Sequence, residues 1–260
     1  MANSVALELS KHPDTWTAFL STAARMYKYG FYDQLMIFAQ RPEATACAEY
    51  NFWNQRMHRY VKRGSRGIAI LKPTDQGNRL GYLFDVADTG ALENSRPVYL
   101  WKYQKEHTGP LSSALLSRFE IPLQENLSDQ LRQIAETQTR DYWNAHREDI
   151  LHIVDAPALQ AYDEHTLEAD FCLVAAASTT FVLLSRCELD PREYVLAEDL
   201  SLVEGFNSPQ AITALGTAVS ETSQTILRVI EQTIKQYERT RHTERRSQDE
   251  RPDLHDDRRL

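Results

Sequence analysis

Apolar residues recur at helical spacing over most of this chain, but between residues 60 and 101 the pattern changes to that of short strands. Helices are predicted before this stretch at residues 4–30, 32–40 and 49–58. Within it, strands are predicted at 60–63, 66–71, 80–86 and 96–101, with turns at Gly64-Ser65 and residues 74–79. A few hairpin strands preceded by helices predict an antiparallel sheet packed on helices, which is the α+β class.

The rest of the chain is predicted to be all helical. Asn207-Ser208-Pro209 is a strong start signal, because a capping residue precedes a proline in the first turn. The sequence predicts a domain at residues 1–105, a helical domain at 106–240 and a disordered, charged tail at 241–260. The predicted helices after Gly109-Pro110 are residues 111–118, 124–148, 157–163, 166–187, 192–204 and 208–240.

Charge is distributed unevenly between these parts. The whole chain carries a formal charge of −8, which alone argues against a nucleic-acid partner. Residues 1–105, however, contain 14 Lys and Arg against 9 Asp and Glu, whereas residues 106–260 contain 15 against 28. The two parts are therefore predicted to have different partners.

The apolar and cysteine content favours a cytoplasmic protein without a membrane span. The longest apolar stretch, residues 171–184, is too short to cross a bilayer and is predicted to be a buried core helix. Cys47, Cys172 and Cys187 form no CxxC pair, so they indicate unpaired thiols in a reducing compartment rather than a metal site.

One segment has the chemistry of a nucleic-acid site. Residues 50–72 contain six cations and no Asp or Glu, so the segment should attract phosphates. Aromatic side chains beside these cations can stack on unpaired bases. The two glycines of the Arg63–Gly67 turn would let a ligand backbone approach closely. The predicted phosphate-binding residues are Arg56, Arg59, Lys62, Arg63, Arg66 and Lys72, and the predicted stacking residues are Trp53, Tyr60 and Tyr32.

The same segment has a purely structural interpretation, which the composition leaves open. Lys62 and Arg66 could be solvated charges that protect the edge of a hairpin from aggregation. Phe52 and Trp53 could be core residues. Asp85 and Asp88, at the end of a predicted strand, are interpreted as turn or cap residues rather than as a metal-binding pair.

Four short motifs follow one another between residues 34 and 89. They are Gln34-Leu35-Met36-Ile37, a Trp before the strands at Trp53, the basic run Val61 to Ile68, and Leu83-Phe84-Asp85-Val86-Ala87-Asp88-Thr89. In this order they resemble the N-terminal domain of the ArdC antirestriction family. They are even more similar to the N-terminal modules of large helicase-containing proteins of Gram-positive conjugative elements. The resemblance covers roughly residues 14–105.

The resemblance implies sequence-independent binding of single-stranded DNA in a mobile genetic element, for conjugation or antirestriction. ArdC proteins continue into a zinc metallopeptidase-like domain with an HExxH motif, which this sequence lacks, so neither metal nor peptidase activity carries over. The sequence also lacks a Walker-type loop, a GxSxG elbow and a GxGxxG loop. We therefore expect no catalytic residues and no cofactor.

The acidic helical part has two interpretations. It could dock the N-terminal domain onto other domains of a larger parent protein, which is the favoured one because an acidic helical surface is common and needs no special function. Alternatively, it could mimic nucleic acid and inhibit a host restriction or CRISPR-type defence protein.

Overall fold

A computed structural model describes residues 2–75, 77–153 and 163–249. The chain begins with three helices, α1 (Ala2–Lys11), α2 (Pro13–Arg25) and α3 (Phe31–Gln40). The single helix predicted at residues 4–30 is thus divided at His12, which is extended, and Pro13 starts α2 because its missing N–H costs nothing in a first turn.

Five short strands follow. They are β1 (Cys47–Glu49), β2 (Arg59–Val61), β3 (Ile68–Thr74), β4 (Gly77–Asp85) and β5 (Thr89–Ala91), with a short π-helix at Phe52–Arg56 and a 3-10 turn at Val86–Asp88. All pairings are antiparallel: β1-β4-β3 form one sheet, and β2-β5 form a second. The predicted α+β class is confirmed.

The pairing differs from the prediction at residues 60–71. The hairpin expected there does not form, because β2 pairs with β5 and places Tyr60 opposite Gly90, while β3 pairs with β4. Local patterning located β2, β3 and β4 but not their partners, which are chosen by packing, and it predicted neither β1 nor β5. The predicted helix at 49–58 is reduced to the π-helix and its flanks, and the predicted strand at 96–101 joins no sheet.

Five helices make up the remainder of the described chain. They are α4 (Thr108–Phe119), α5 (Leu127–Ile153), α6 (Glu164–Arg186), α7 (Ala197–Ser201) and α8 (Pro209–Asp249). The predicted helix at 192–204 is interrupted, with α7 lying between 3-10 turns at Pro191–Glu193 and Leu202–Gly205. α8 continues nine residues into the predicted tail, whereas residues 250–260 and the predicted helix residues 157–162 lie outside the described residues.

A single large hydrophobic core joins the N-terminal helices to the later ones. Trp16 of α2 is buried and donates its indole N–H to Ser178 Oγ of α6 at 2.9 Å. Helix α8 approaches α3 so closely that a Cβ on Gly216 would lie 2.1 Å from the Phe31 ring. The boundary predicted at residue 105 therefore does not separate two hydrophobic cores.

Helix α6 runs through this core. By length and composition alone, residues Glu164–Arg186 are apolar enough to cross a membrane, yet 61% of that window is buried inside the fold. Such burial is typical of the central helix of a soluble protein, as predicted for residues 171–184.

The larger sheet covers a second, smaller cluster against α3. Its members include Ile37 of α3, Ile68 and Ile70 of β3, and Leu83 of β4. The side chains that alternate with these residues along the strands point to the other face of the sheet, away from this cluster.

Candidate nucleic-acid interface

Residues 62–67, between β2 and β3, form a turn that we call the cationic loop. Its start is fixed to the 3-10 turn, because the Lys62 backbone N–H donates to Asp88 O at 2.8 Å. Ser65 N donates to Lys62 O at 3.2 Å, and Gly64 takes a φ of 86°, which favours glycine. The loop is thus a defined turn that presents its charged side chains outward.

Three of the predicted phosphate-binding arginines are free. Arg56, Arg63 and Arg66 are exposed, and within the described part of the chain none forms a side-chain hydrogen bond or an ion pair. Lys62 is also exposed and donates to the Ala87 carbonyl at 2.9 Å, a contact that leaves its charge unneutralised. Four cations near the small β2-β5 sheet therefore remain available to phosphates.

The other two predicted cations are engaged. Lys72 forms an ion pair with Glu49, which comes just before the acid-free segment and reaches Lys72 across the sheet. Arg59 is half-buried and donates through Nε to Thr89 Oγ1 at 2.8 Å. The predicted row of six cations is thus shorter, and Lys72 is corrected to a structural ion-pair residue.

The predicted aromatic residues are not brought together. Trp53 is only 2% exposed and donates its indole N–H to Phe84 O at 2.8 Å, so it is a core residue and cannot stack on a base. Tyr32 is exposed, but it lines a different cavity, beside Tyr142 and Pro209. Only Tyr60 is both exposed and near the cations, with its ring lying across Gly90.

The structure provides other exposed rings that sequence reasoning missed. Tyr82, in the centre of β4, is 50% exposed, and Leu71 and Leu80 beside it are similarly exposed. Tyr50 is exposed as well, and its ring lies edge-on to Phe84 at 6.5 Å. We call Tyr50, Leu71, Leu80, Tyr82 and Phe84 the outer sheet face, in which Phe84 is half-buried and the other four side chains are exposed. Its signal in the sequence is the alternation of Leu80, Tyr82 and Phe84 with the inward Leu83 and Asp85.

Gly67 joins the cationic loop to the outer sheet face. A Cβ at this position would lie 3.0 Å from Tyr82 Cβ and 3.2 Å from Phe84 Cζ, so the loop backbone rests directly on both rings. The glycine expected to admit a ligand thus instead admits Tyr82 and Phe84. As a result, Arg66 is attached next to an exposed aromatic ring.

The acids nearest the loop are held in the fold. Buried Asp85 accepts hydrogen bonds from the backbone N–H groups of Thr45, at 2.7 Å, and Ala46, at 3.0 Å. It also caps the 3-10 turn by accepting from Ala87 N at 2.9 Å, which confirms the predicted cap. Asp88 is ion-paired with Arg41. Neither carboxylate therefore neutralises Arg63 or Arg66.

The described residues contain no group of three or more His, Cys, Asp or Glu side chains placed to hold a metal ion. The burial of Cys47 raises the pKa of its thiol to about 12, so this cysteine stays protonated at neutral pH.

In comparisons with known proteins, no family model, no curated protein and no solved structure matches this chain. The resemblance to ArdC N-terminal domains therefore stays a prediction.

Proposed function

We propose that this chain binds single-stranded DNA without sequence preference and without catalysing a reaction, through the cationic loop and the outer sheet face. The observation that carries the proposal is that Arg63 and Arg66, free of carboxylate partners, lie on a loop whose Gly67 rests against the exposed Tyr82. This combination of phosphate-binding cations and stacking rings is what unpaired strands require.

Each part of the surface has a separate task. Arg63, Arg66, Lys62 and Arg56 would neutralise phosphates, which makes binding depend strongly on salt. Tyr82, Tyr50 and Tyr60 would stack on successive bases. Because every base presents a π face, such stacking tolerates any sequence and contributes about 1–3 kcal/mol per base.

The proposed surface should bind single strands more tightly than duplexes. In a duplex the base faces are already stacked on one another, so the tyrosines would have nothing to contact and only the phosphate interactions would remain. Duplex binding would therefore be weaker and entirely dependent on charge.

The resemblance supports a biological setting for this activity. A module similar to ArdC N-terminal domains would act in the cytoplasm on behalf of a mobile genetic element, coating or guiding the transferred strand, or shielding it from host nucleases. In that setting the helical part would contact other domains of a larger parent protein.

Fluorescence anisotropy with single- and double-stranded oligonucleotides of equal length tests the proposal. We expect tighter binding to the single strand, and a loss of about ten-fold or more in affinity for the R63A/R66A variant at low salt. The matched control is R140A/R228A, which removes the same charge from exposed positions on α5 and α8.

Equal affinity of R63A/R66A and wild type would refute the site assignment. Absence of DNA binding, combined with capture of a purified host restriction or CRISPR-type protein, would favour the alternative role of the acidic helical part.

A further inference from the structure

A cavity of about 1020 Å³ is lined by Trp53 but by no residue of the cationic loop. Its walls come from the end of α2, from β1, from the extended segment 96–102 and from the facing parts of α6 and α8. A volume of this size is at the upper end of the range for small-molecule sites. None of the predicted site residues except Trp53 lines it.

The walls of the cavity are held by a buried carboxylate. Glu231 of α8 accepts hydrogen bonds from Tyr27 Oη at 2.7 Å, from Lys28 Nζ at 2.7 Å and from Lys235 Nζ at 2.6 Å. Burial alone would raise the pKa of Glu231, but these bonds outweigh it and lower the pKa to about 2. Lys28 and Lys235 are thus both ion-paired with Glu231, whose single charge offsets one of the two.

Segment 96–102 is fixed to the same wall. The Trp101 indole N–H donates to Tyr27 Oη at 3.0 Å, and Arg186 donates to Trp101 O at 2.9 Å. The Arg186 guanidinium also lies 3.6 Å from the centroid of the Trp101 ring. Because both the backbone and the side chain of Trp101 are anchored, this end of segment 96–102 is already ordered before a ligand binds.

After these pairings, four arginines at the cavity have no ion-pair partner among the described residues: Arg25, whose side chain donates to backbone carbonyls, and Arg96, Arg186 and Arg239. Arg186 is half-buried, and its burial lowers the pKa of its guanidinium, which indicates a charge that lacks full solvation. Arg96 and Arg239 are exposed. The lining as a whole holds seven Lys and Arg against three Glu, namely Glu188, Glu231 and Glu238, so an anion entering the cavity would meet an excess of positive charge.

The lining also contains flat apolar surface. Phe52 and Tyr99 line the cavity and are both exposed, with Met57 and Val98 beside them. A ligand that suits this lining has a planar ring for the aromatic side chains and a negative group for the arginines.

We propose that this cavity binds a phosphorylated nucleoside, with the phosphate at Arg96 and Arg239 and the base against Phe52 or Tyr99. The site is separate from the cationic loop and does not depend on it. The nucleoside phosphate could be a free nucleotide or the 5′-phosphorylated end of a DNA strand, since both present the same chemistry.

Isothermal titration calorimetry of the full chain with dAMP, deoxyadenosine and inorganic phosphate tests the site. We expect dAMP to bind about ten-fold or more tightly than either fragment, because only dAMP engages both halves of the lining. The R96A/R239A variant should lose this advantage, and R63A/R66A should keep it. Both variants change exposed side chains, so an unchanged melting temperature verifies folding.

A second arm compares oligonucleotides with and without a 5′-phosphate. Tighter binding of the phosphorylated strand, abolished by R96A/R239A, would identify a strand end as the ligand. If dAMP fails to bind at concentrations up to about 5 mM and the 5′-phosphate has no effect, the inference is wrong. Oligonucleotide binding through the cationic loop would be unaffected by that result.

Discussion

The helical body, made of α1, α2 and α4–α8, and the sheet module, residues 47–91, bury their apolar residues differently. In the helical body, Trp16, Trp143 and Phe171 are fully buried, and one core extends from α1 to α8. The sheet module covers only its inner face and leaves Leu80 and Tyr82 half exposed on the outer one. This contrast supports the proposal that the sheet module presents the binding surface, while the helical body provides most of the buried core.

The largest effect should come from emptying the helical core. Replacing Trp16 by Ala removes a fully buried ring and its hydrogen bond to Ser178, which should cost about 3–5 kcal/mol of the free energy of unfolding. Tyr82→Ala on the outer sheet face should cost less than about 1 kcal/mol. Urea unfolding measures both, and similar losses would mean that Tyr82 belongs to the core.

Glu231 connects the N-terminal helices to α8, and its removal should have the next largest effect. Replacing it by Gln weakens the bonds to Tyr27, Lys28 and Lys235, at a cost of about 2 kcal/mol. Because the pKa of Glu231 is lowered to about 2, its carboxylate stabilises the folded state above about pH 5. That stabilisation is lost as the pH falls towards 2.

Urea unfolding of wild type and E231Q between pH 7 and pH 2.5 follows this loss. The difference in free energy of unfolding should be constant near neutral pH and shrink on acidification. A difference that stays constant or grows at low pH would show that the charge of Glu231 does not hold the turn between α2 and α3 against α8.

The periodicity of apolar residues explains how much of this contrast could be predicted from the sequence. Repeats at helical spacing located both ends of α3, α5 and α6, and the start of α8, to within about five residues, because long amphipathic patterns are strong signals, but the end of α8 lies nine residues beyond the prediction. The β2-β5 pairing was missed, since Tyr60 and Gly90 are distant in sequence and a three-residue strand carries little pattern.

The binding site was predicted less completely, because contacts between residues distant in sequence decide which side chains are exposed. Composition identified Arg63 and Arg66, which are exposed as expected, but it could not distinguish the buried ring of Trp53 from the exposed ring of Tyr82. That distinction depends on which face of β4 meets α3. Likewise, the Lys72–Glu49 ion pair depends on strand packing that no local pattern shows.

A smaller effect, on DNA affinity rather than on stability, should distinguish Tyr82 of the outer sheet face from Tyr32. Tyr82→Ala should weaken binding to a single-stranded oligonucleotide by about 1–2 kcal/mol, because a stacking ring is lost. The matched control is Tyr32→Ala, because Tyr32 is equally exposed but lines a cavity beside Tyr142 and Pro209. This substitution should not change affinity. Equal effects in anisotropy titrations would remove the outer sheet face from the binding site.

The smallest effect should come from Gly67→Ala, which adds a methyl group where the cationic loop rests on Tyr82 and Phe84. We expect a loss of about 1 kcal/mol in the free energy of unfolding and a modest loss of DNA affinity, since the loop must move away from the ring. Gly109→Ala, which meets no atom within 4 Å, is the control. Unchanged DNA affinity in G67A would show that loop and ring act independently.

The most direct test of the central claim is the salt dependence of single-strand binding, measured by anisotropy for wild type and R63A/R66A. If both arginines contact phosphates, the slope of log K against log salt should become shallower by about 1.4, or about 0.7 for each contact. R140A/R228A should keep the wild-type slope. An identical slope in wild type and R63A/R66A would contradict the claim that the cationic loop binds the strand.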